Sequence, residues 1–276
     1  MFTYLRRIAL TGPILALLLY QGPTESFTLN RVILACDANP TYIDFWPLVA
    51  QAWTRLVGIR PTLALIANDT VAVDESLGDV VRFQPIEGVP TWFYAQVIRL
   101  FLPVLFQDDH CLISDIDMLP LNKHYFTNSV APYADDTFVV YRDGAYGTQD
   151  RRYPMCYLAA QGKTFSEVFG ISTREEIQAL VADWWRRFGY NGTEETLDWN
   201  TDELLLYRRL HAWHGYRTRC KRLGHNVGPR IDRSNWTYNR QLLAQGNYYI
   251  DSHMVRPYQQ YKQQIDELAR ILGLDI

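Results

Sequence analysis

Short apolar runs alternate with segments of helical periodicity through the first half of the chain. The runs that predict buried strands are residues 31–37, 61–69, 80–86 and 111–114. Residues 42–58 carry apolar side chains at helical spacing and close on Gly58, and residues 91–106 predict a helix that Pro103 kinks or ends. Strands that alternate with helices indicate βαβ units, so we expect an α/β protein with a mainly parallel central sheet flanked by helices.

Several of the predicted strands end in carboxylates or amides. Asp37 closes the first strand, Asn68 and Asp69 the second, and Asp115 with Asp117 the fourth. Ligands of open α/β sheets bind in the crevice outside the carboxyl ends of the strands, so this placement is typical of a nucleotide site. Asp and Asn are also common after strands as turn residues and helix N-caps, and for Asp37 and Asp69 both interpretations stay open.

The stretch CLISDIDMLPL holds two aspartates within an apolar run. An unpaired charge in such surroundings is unfavourable by several kcal/mol. Residues i and i+2 of a strand point to the same side, so we expect Asp115 and Asp117 to converge on one ligand. Two carboxylates that close need a shared proton or a cation. A divalent metal ion, with a ligand shell completed by substrate phosphates, would resolve the repulsion.

Composition narrows the classes of function. The 276 residues are 48% hydrophobic, which suits one large domain or one and a half. A net charge of -3 lacks the basic footprint of nucleic-acid binding. The four cysteines lie far apart without a C-x-x-C pair, which favours reduced thiols and leaves one disulfide open. An aromatic fraction of 14% fits core packing or the stacking of sugars on exposed rings.

Residues 1–29 are predicted to form an N-terminal segment ahead of a domain at residues 30–276. The apolar run at residues 8–20 is shorter than the roughly 20 residues that span a bilayer. It fits a signal-anchor, which would attach the protein to a membrane through residues 6–20, or a packed accessory helix. A cytoplasmic and a membrane-associated location, including a Golgi or ER-type lumen, both stay open.

Residues 99–121, RLFLPVLFQDDHCLISDIDMLPL, resemble the donor-binding core of GT-A glycosyltransferases. The likeness is greatest to the glycogenin-like and bacterial galactosyltransferase group, usually assigned to glycosyltransferase family 8. It implies a GT-A fold, a Rossmann-like architecture of nucleotide-diphospho-sugar transferases, for residues 30–276. It also implies that Arg99 contacts the donor and that Asp115 and Asp117 bind the metal ion.

A second stretch, DSHMVRPYQQY, resembles the closing motif of the same family, in which a metal-binding histidine precedes a basic residue, a proline and an aromatic. The resemblance implies that His253 is the third metal ligand and that Arg256 contacts the diphosphate. An imidazole with two carboxylates suits Mn²⁺, with Mg²⁺ as the other candidate. Asp37 and Asp69 would then match the family's contacts to the base and the ribose.

A looser match is LDWNTDELLLY, which resembles the acidic step that opens a helix beside the sugar. It makes Asp202 and Glu203 the candidate catalytic residues. Asp202 would hydrogen-bond the transferred sugar in a retaining enzyme, whereas a carboxylate here would deprotonate the acceptor hydroxyl in an inverting one, and both remain open. The pattern also fits a helix capped by Thr201, with acidic residues in its first turn.

These features predict a metal-dependent glycosyltransferase that moves a sugar from a nucleoside-diphosphate donor, expected to be a UDP-sugar, to a hydroxyl of a glycan or glycoconjugate. One alternative is a phosphatase of the haloacid dehalogenase type, whose nucleophile also lies in a strand followed by D-x-D. Met118 and Leu119 after the second aspartate do not match that class. The other alternative is a non-catalytic carbohydrate-binding protein, which the aromatic content alone supports.

Overall fold

The computed structural model describes residues 26–147, 149–189 and 197–275. The apolar run at residues 8–20 lies outside these ranges, so the predicted division between residues 1–29 and 30–276 stays a prediction. Among the helices of the described ranges, none combines the length and the apolar character that a bilayer crossing requires.

Strands and helices alternate through the first half of the described chain. The strands are β1 (Arg31–Asp37), β2 (Arg60–Ile66), β3 (Asp79–Phe83), β4 (His110–Ile113), β5 (Met118–Pro120), β6 (Phe138–Asp143), β7 (Leu158–Gln161), β8 (Cys220–Gly224), β9 (Ile231–Asp232) and β10 (Asp251–His253). The α-helices are α1 (Pro40–Ile43), α2 (Trp46–Ala52), α3 (Thr91–Phe101), α4 (Lys123–Asn128), α5 (Gly162–Phe169), α6 (Arg174–Phe188), α7 (Thr201–Ala212), α8 (Tyr216–Arg219), α9 (Arg240–Ala244) and α10 (Lys262–Ile271).

The two segments predicted as single helices are both present but interrupted. The first divides into α1, α2 and a π-helical turn at Trp53–Val57, and it closes on Gly58 at φ 83°, a left-handed conformation that favours glycine. The second forms α3 and then a 3₁₀ turn at Leu102–Leu105. The α-helix ends there because Pro103 has no N–H to donate and its ring crowds the preceding turn.

The central sheet has seven strands in the order β3-β2-β1-β4-β7-β6-β8 within the described residues. Strands β3, β2, β1 and β4 are parallel, β7 is antiparallel to both β4 and β6, and β8 is parallel to β6. The predicted fold class, an α/β protein with a mainly parallel central sheet flanked by helices, is therefore confirmed. The order reverses direction between β1 and β4, and this switch point is where ligands of such sheets bind.

Both faces of the central sheet are covered. Alternate residues of β1 enter opposite halves of the core: Val32 and Leu34 pack in the cluster that contains Trp53, whereas Ile33 packs in the cluster that contains Phe101. A parallel strand buried on both faces must be apolar nearly throughout, which explains the unbroken run that predicts β1.

The acidic stretch differs from its prediction in local structure. β4 ends at Ile113, and Asp115 and Asp117 follow in a turn closed by a hydrogen bond from Met118 N to Asp115 O (3.2 Å). A turn, in place of the predicted strand alternation, therefore carries both carboxylates to the edge of the sheet. The chain turns here because β5 leaves the central sheet and joins a second sheet of order β5-β10-β9.

Candidate active site

The second sheet brings the predicted histidine to the acidic turn. β10 pairs antiparallel with β5, which sets His253 opposite Met118, and Met254 N donates to Asp117 O (2.9 Å). β9 pairs parallel with β10 and sets Asp232 opposite His253. Residues that are far apart in sequence are thus neighbours because of strand pairing.

A cavity of about 470 Å³ opens at the carboxyl edge of the central sheet. The predicted acidic residues that line it are Asp37, Asp115, Asp117, Asp202 and Glu203, and the predicted basic ones are Arg99, His253 and Arg256. Asp69 is the exception, because it is exposed at the end of β2, accepts a hydrogen bond from Gln84 Nε2 (2.8 Å) and is not part of the lining.

Asp117 is surrounded by two arginines and a histidine. Its Oδ2 lies 3.1 Å from Arg233 Nη1, 3.6 Å from His253 Nε2 and 3.7 Å from Arg256 Nη1. Burial opposes ionisation of this carboxyl, but the hydrogen bond and charge of His253, together with the charges of both arginines, lower the pKa of Asp117. Asp117 is therefore a buried carboxylate ion, 5% exposed, at the wall of the cavity.

Arg99 connects the acidic turn to the candidate catalytic residues. It projects from α3 and forms an ion pair with Asp115, while its Nη2 lies 3.0 Å from Asp202 Oδ2. Gln96 Nε2, one helical turn earlier, donates to the other oxygen of Asp202 (3.2 Å). Burial raises the pKa of Asp202, and the nearby charge of Arg99 opposes the shift. The residue that the resemblance assigned to the donor thus also holds Asp202 in place.

Glu203 keeps one carboxylate oxygen available. Tyr146 donates its phenolic O–H to Glu203 Oε1 (2.6 Å), whereas Oε2 is buried with no hydrogen-bond partner among the described residues. The nearest cation to Oε2 is Arg152 Nη1, at 3.7 Å. Burial, and then the charge of Asp202, raise the pKa of Glu203 to about 7. A carboxyl group that titrates near neutrality beside a cavity is suited to proton transfer.

The interpretation of Thr201 as a helix cap differs from the structure. Thr201 is the first residue of α7, and the N-cap position belongs to Asn200, which makes no side-chain capping bond. Asp202 and Glu203 do stand in the first turn, where the helix dipole favours negative charge. Their burial goes beyond what a solvated first turn requires, since Asp202 is only 2% exposed.

Asp37 and Arg256 lie on the β1 side of the cavity. Asp37 accepts hydrogen bonds from Thr91 Oγ1 (2.8 Å) and Asn39 N (3.1 Å). Arg256 Nη1 donates to Tyr42 Oη (2.5 Å), and the guanidinium carbon lies 5.1 Å from the centroid of that ring. These contacts fix the orientation of both side chains at the cavity wall.

The predicted metal ligands are divided between two clusters. Asp115 faces Arg99, while Asp117 and His253 lie side by side. Within the described ranges, no three His, Cys, Asp or Glu side chains are grouped so that they could hold a metal ion by themselves. A carboxylate and an imidazole do fit Mn²⁺ or Mg²⁺ when phosphates and water complete the shell. The predicted site at Asp115, Asp117 and His253 therefore stays a prediction, and its donor atoms suit an ion shared with a ligand.

Sequence reasoning missed three arginines of the lining: Arg142, Arg230 and Arg233. Arg230 and Arg233 flank β9, a strand of two residues that is too short to give a periodic signal. Arg142 lies at an irregularity of β6 that no local pattern marks. Only the density of basic residues in the stretch PRIDR could have indicated a charged site.

No protein-family model matches the chain, and no curated protein matches it. Among solved structures, the chain is similar to the galactosyltransferase LgtC in complex with donor and acceptor sugar analogues, with a TM-score of 0.48 and 13% identity over 89% of this chain and 97% of that one. It is also similar to the glycosyltransferase GlyE of Streptococcus pneumoniae TIGR4, with a TM-score of 0.48 and 12% identity over 89% of this chain and 62% of that one. The bifunctional glycosyltransferase WbbM gives a TM-score of 0.48 and 11% identity over 88% of this chain and 50% of that one. These similarities assign no residue role, substrate or activity to this chain.

Proposed function

We propose that the protein is a glycosyltransferase that moves a sugar from a nucleoside diphosphate, with UDP as the expected nucleotide, to a hydroxyl of a glycan or glycoconjugate. The observation that carries this proposal is the setting of Asp115 and Asp117. Both line one cavity at the switch point of the sheet, with Arg233, His253 and Arg256 around Asp117. A nucleotide-sugar needs such a place, because its diphosphate is negative and becomes more so as the sugar departs.

Each part of the cavity has a role in this proposal. The β1 side, with Asp37, would face the nucleoside, and Arg256 and Arg233 would bind the diphosphate through charge-assisted hydrogen bonds. Asp117 and His253, with Asp115 on the other side of the turn, would hold Mn²⁺ or Mg²⁺. When bound, the ion supplies positive charge against the departing diphosphate.

Asp202 and Glu203 would divide the chemistry at the sugar. Asp202 accepts from Arg99 and Gln96, which suits a residue that positions a sugar hydroxyl. Glu203 has an oxygen without a hydrogen-bond partner among the described residues, which suits the acceptance of a proton from the acceptor hydroxyl. Proton removal by Glu203 fits an inverting reaction, and a retaining course remains the alternative.

The test is ligand-induced thermal stabilisation with UDP-, GDP- and ADP-sugars, each with and without Mn²⁺. We expect UDP-sugars to raise the melting temperature most, and Mn²⁺ to increase that effect. Asp117→Asn should weaken nucleotide binding and lower the transfer rate about a hundredfold or more, because it removes one preorganised charge of the site. Asp69→Asn is the matched control, since Asp69 lies outside the cavity lining.

Two results would contradict the proposal. One is the absence of stabilisation by every nucleotide, and the other is full transfer activity in Asp117→Asn. Covalent phosphorylation of Asp115 by a phosphate donor would point to the phosphatase alternative. Binding of glycans without any response to nucleotide or metal would point to a carbohydrate-binding protein.

A further inference from the structure

Arg142 has an unusual backbone conformation at the edge of the cavity. Its φ is 56°, and it is the one non-glycine residue with positive φ in the described ranges. It lies where the pairing of β6 with β8 shifts register between Val140 and Asp143. A left-handed conformation is unfavourable for a side chain as long as arginine, and such residues concentrate at functional sites. The bulge turns Arg142 out of the regular alternation of the strand.

The guanidinium of Arg142 lacks a counterion within the described part of the chain. It lines the cavity, yet no carboxylate there forms an ion pair or a hydrogen bond with it. The neighbouring acid, Asp143, pairs instead with Arg222 Nη1 on β8, at 3.6 Å. An arginine at the wall of a cavity without a paired acid favours an anionic ligand.

Arg230 faces the same part of the cavity and is held rigidly. Its Nε donates to Asp251 Oδ1 (2.5 Å), and Tyr157 donates its phenolic O–H to Asp251 Oδ2 (2.7 Å). Asp251 is fully buried, whereas the Arg230 side chain keeps 18% exposure. Tyr141 N, next to Arg142, donates to Tyr157 O (3.2 Å), and Asp251 accepts hydrogen bonds from both Tyr157 and Arg230. The two arginines therefore lie on the same stretch of the cavity wall.

This stretch of wall lies at the other end of the cavity from Asp37, where the nucleoside is expected. Arg142 ends β6 and Cys156 precedes β7, whereas Asp37 ends β1. Since the sheet order is β1-β4-β7-β6, the turn that carries Asp115 lies between the two sides. In the proposed enzyme, the region beyond the diphosphate is where the transferred sugar and the acceptor meet.

We propose that Arg142 and Arg230 form an anion subsite that binds a carboxylate or phosphate carried by one of the two sugars of the reaction. Guanidinium groups match both anions through parallel N–H donors, and Arg230 needs no reorganisation because Asp251 fixes it. A neutral sugar would leave the charge of Arg142 without a partner in a confined space. This inference rests on the proposed function and specifies its substrate class as acidic.

The test is isothermal titration calorimetry on the wild type, Arg142→Asn, Arg142→Lys and the control Arg240→Gln. Asparagine tolerates positive φ, so it removes the charge without adding backbone strain, and Arg240 is an exposed arginine outside the lining. The donor arm compares UDP-glucuronate with UDP-glucose. The acceptor arm compares methyl glucuronide and glucose 6-phosphate with methyl glucoside, in the presence of UDP.

We expect the wild type to prefer acidic ligands in one arm, and that arm identifies which sugar carries the anion. Arg142→Asn should lower the affinity for acidic ligands by about tenfold or more. It should keep the affinities for UDP, UDP-glucose and methyl glucoside within about twofold of the wild type. Arg142→Lys should retain part of the preference, and Arg240→Gln all of it. Unfolding curves of the variants confirm that each is folded before titration.

Two results would overturn the inference and leave the proposed function in place. One is a wild type that binds UDP without preference for acidic ligands in either arm. The other is an equal loss of affinity for UDP and for UDP-glucuronate in Arg142→Asn, which would place Arg142 at the diphosphate. A wild type that binds no nucleotide would instead contradict the proposed function itself.

Discussion

At the scale of single residues, Glu203 links stability to pH. Its pKa is about 7 in the folded protein against an ordinary value of 4.5. The folded state therefore binds the proton more tightly than the unfolded state does. The resulting contribution to stability is fully present below about pH 4.5 and is lost as the pH rises through about 7.

Glu203→Gln should remove this dependence, because glutamine preserves the shape of the neutral acid and does not ionise. We compare the free energy of unfolding of the variant with that of the wild type. We expect the difference, variant minus wild type, to rise by on the order of 1–3 kcal/mol between about pH 5 and pH 8. Denaturant unfolding at both pH values measures it, with the exposed Glu267→Gln as control. Identical pH dependence in the wild type and Glu203→Gln would contradict the raised pKa.

At the scale of elements, Arg99 ties together α3, the turn after β4 and the first turn of α7. Its side chain is 14% exposed and pairs with Asp115 and with Asp202, whose side chain is 3% exposed. Arg99→Met leaves Asp202 buried without its cation, and we expect a loss of about 3–5 kcal/mol in the free energy of unfolding. The measurement is chemical denaturation monitored by circular dichroism.

Two further variants separate lost charge from lost packing at Arg99. Adding Asp202→Asn to Arg99→Met should recover part of the stability, because the unpaired buried charge is gone. Arg55→Met removes an exposed ion pair with Asp275 and should change stability by less than about 1 kcal/mol. Equal losses in Arg99→Met and Arg55→Met would show that the buried contact does not stabilise the protein.

The same scale explains which elements could be predicted from sequence. β1 and β4 are buried on both faces, so their sequences are almost continuously apolar, and this local pattern predicts them. His253 was predicted through a family motif, whereas its contact with Asp117 depends on the pairing of β5 with β10. Arg142 gave no local signal, because a bulge positions it, and Arg233, beside a two-residue strand, gave only the basic character of PRIDR. Asp37, Asp115 and Asp117 follow strands that patterning reveals, whereas the positions of Arg142, Arg230 and Arg233 depend on tertiary pairing.

At the scale of the whole molecule, the amino ends and the carboxyl ends of the central strands differ in what their polar residues do. At the amino edge, Arg31 bonds Asp109 on one side (2.5 Å) and Asp79 (2.6 Å) and Thr62 (2.6 Å) on the other. These contacts join β1 to its neighbours by charge and hydrogen bonds, and none of the four residues lines the cavity of the candidate active site. The carboxyl edge holds the charges of the candidate active site.

Variants at the amino and carboxyl edges should therefore differ in their effect on nucleotide binding. Arg31→Met removes hydrogen bonds to two carboxylates and should lower the free energy of unfolding by on the order of 1–3 kcal/mol, with nucleotide affinity kept within about twofold. Asp117→Asn should weaken nucleotide binding in the presence of Mn²⁺, because it removes a candidate metal ligand. It should also lower the free energy of unfolding, because the lowered pKa of Asp117 means that its neighbours stabilise the carboxylate. Denaturant unfolding and calorimetry on both variants give the comparison. Arg31→Met could instead weaken nucleotide binding as much as Asp117→Asn does. In that case the geometry of the cavity would depend on contacts at the amino ends of the strands as well as on the residues that line the cavity.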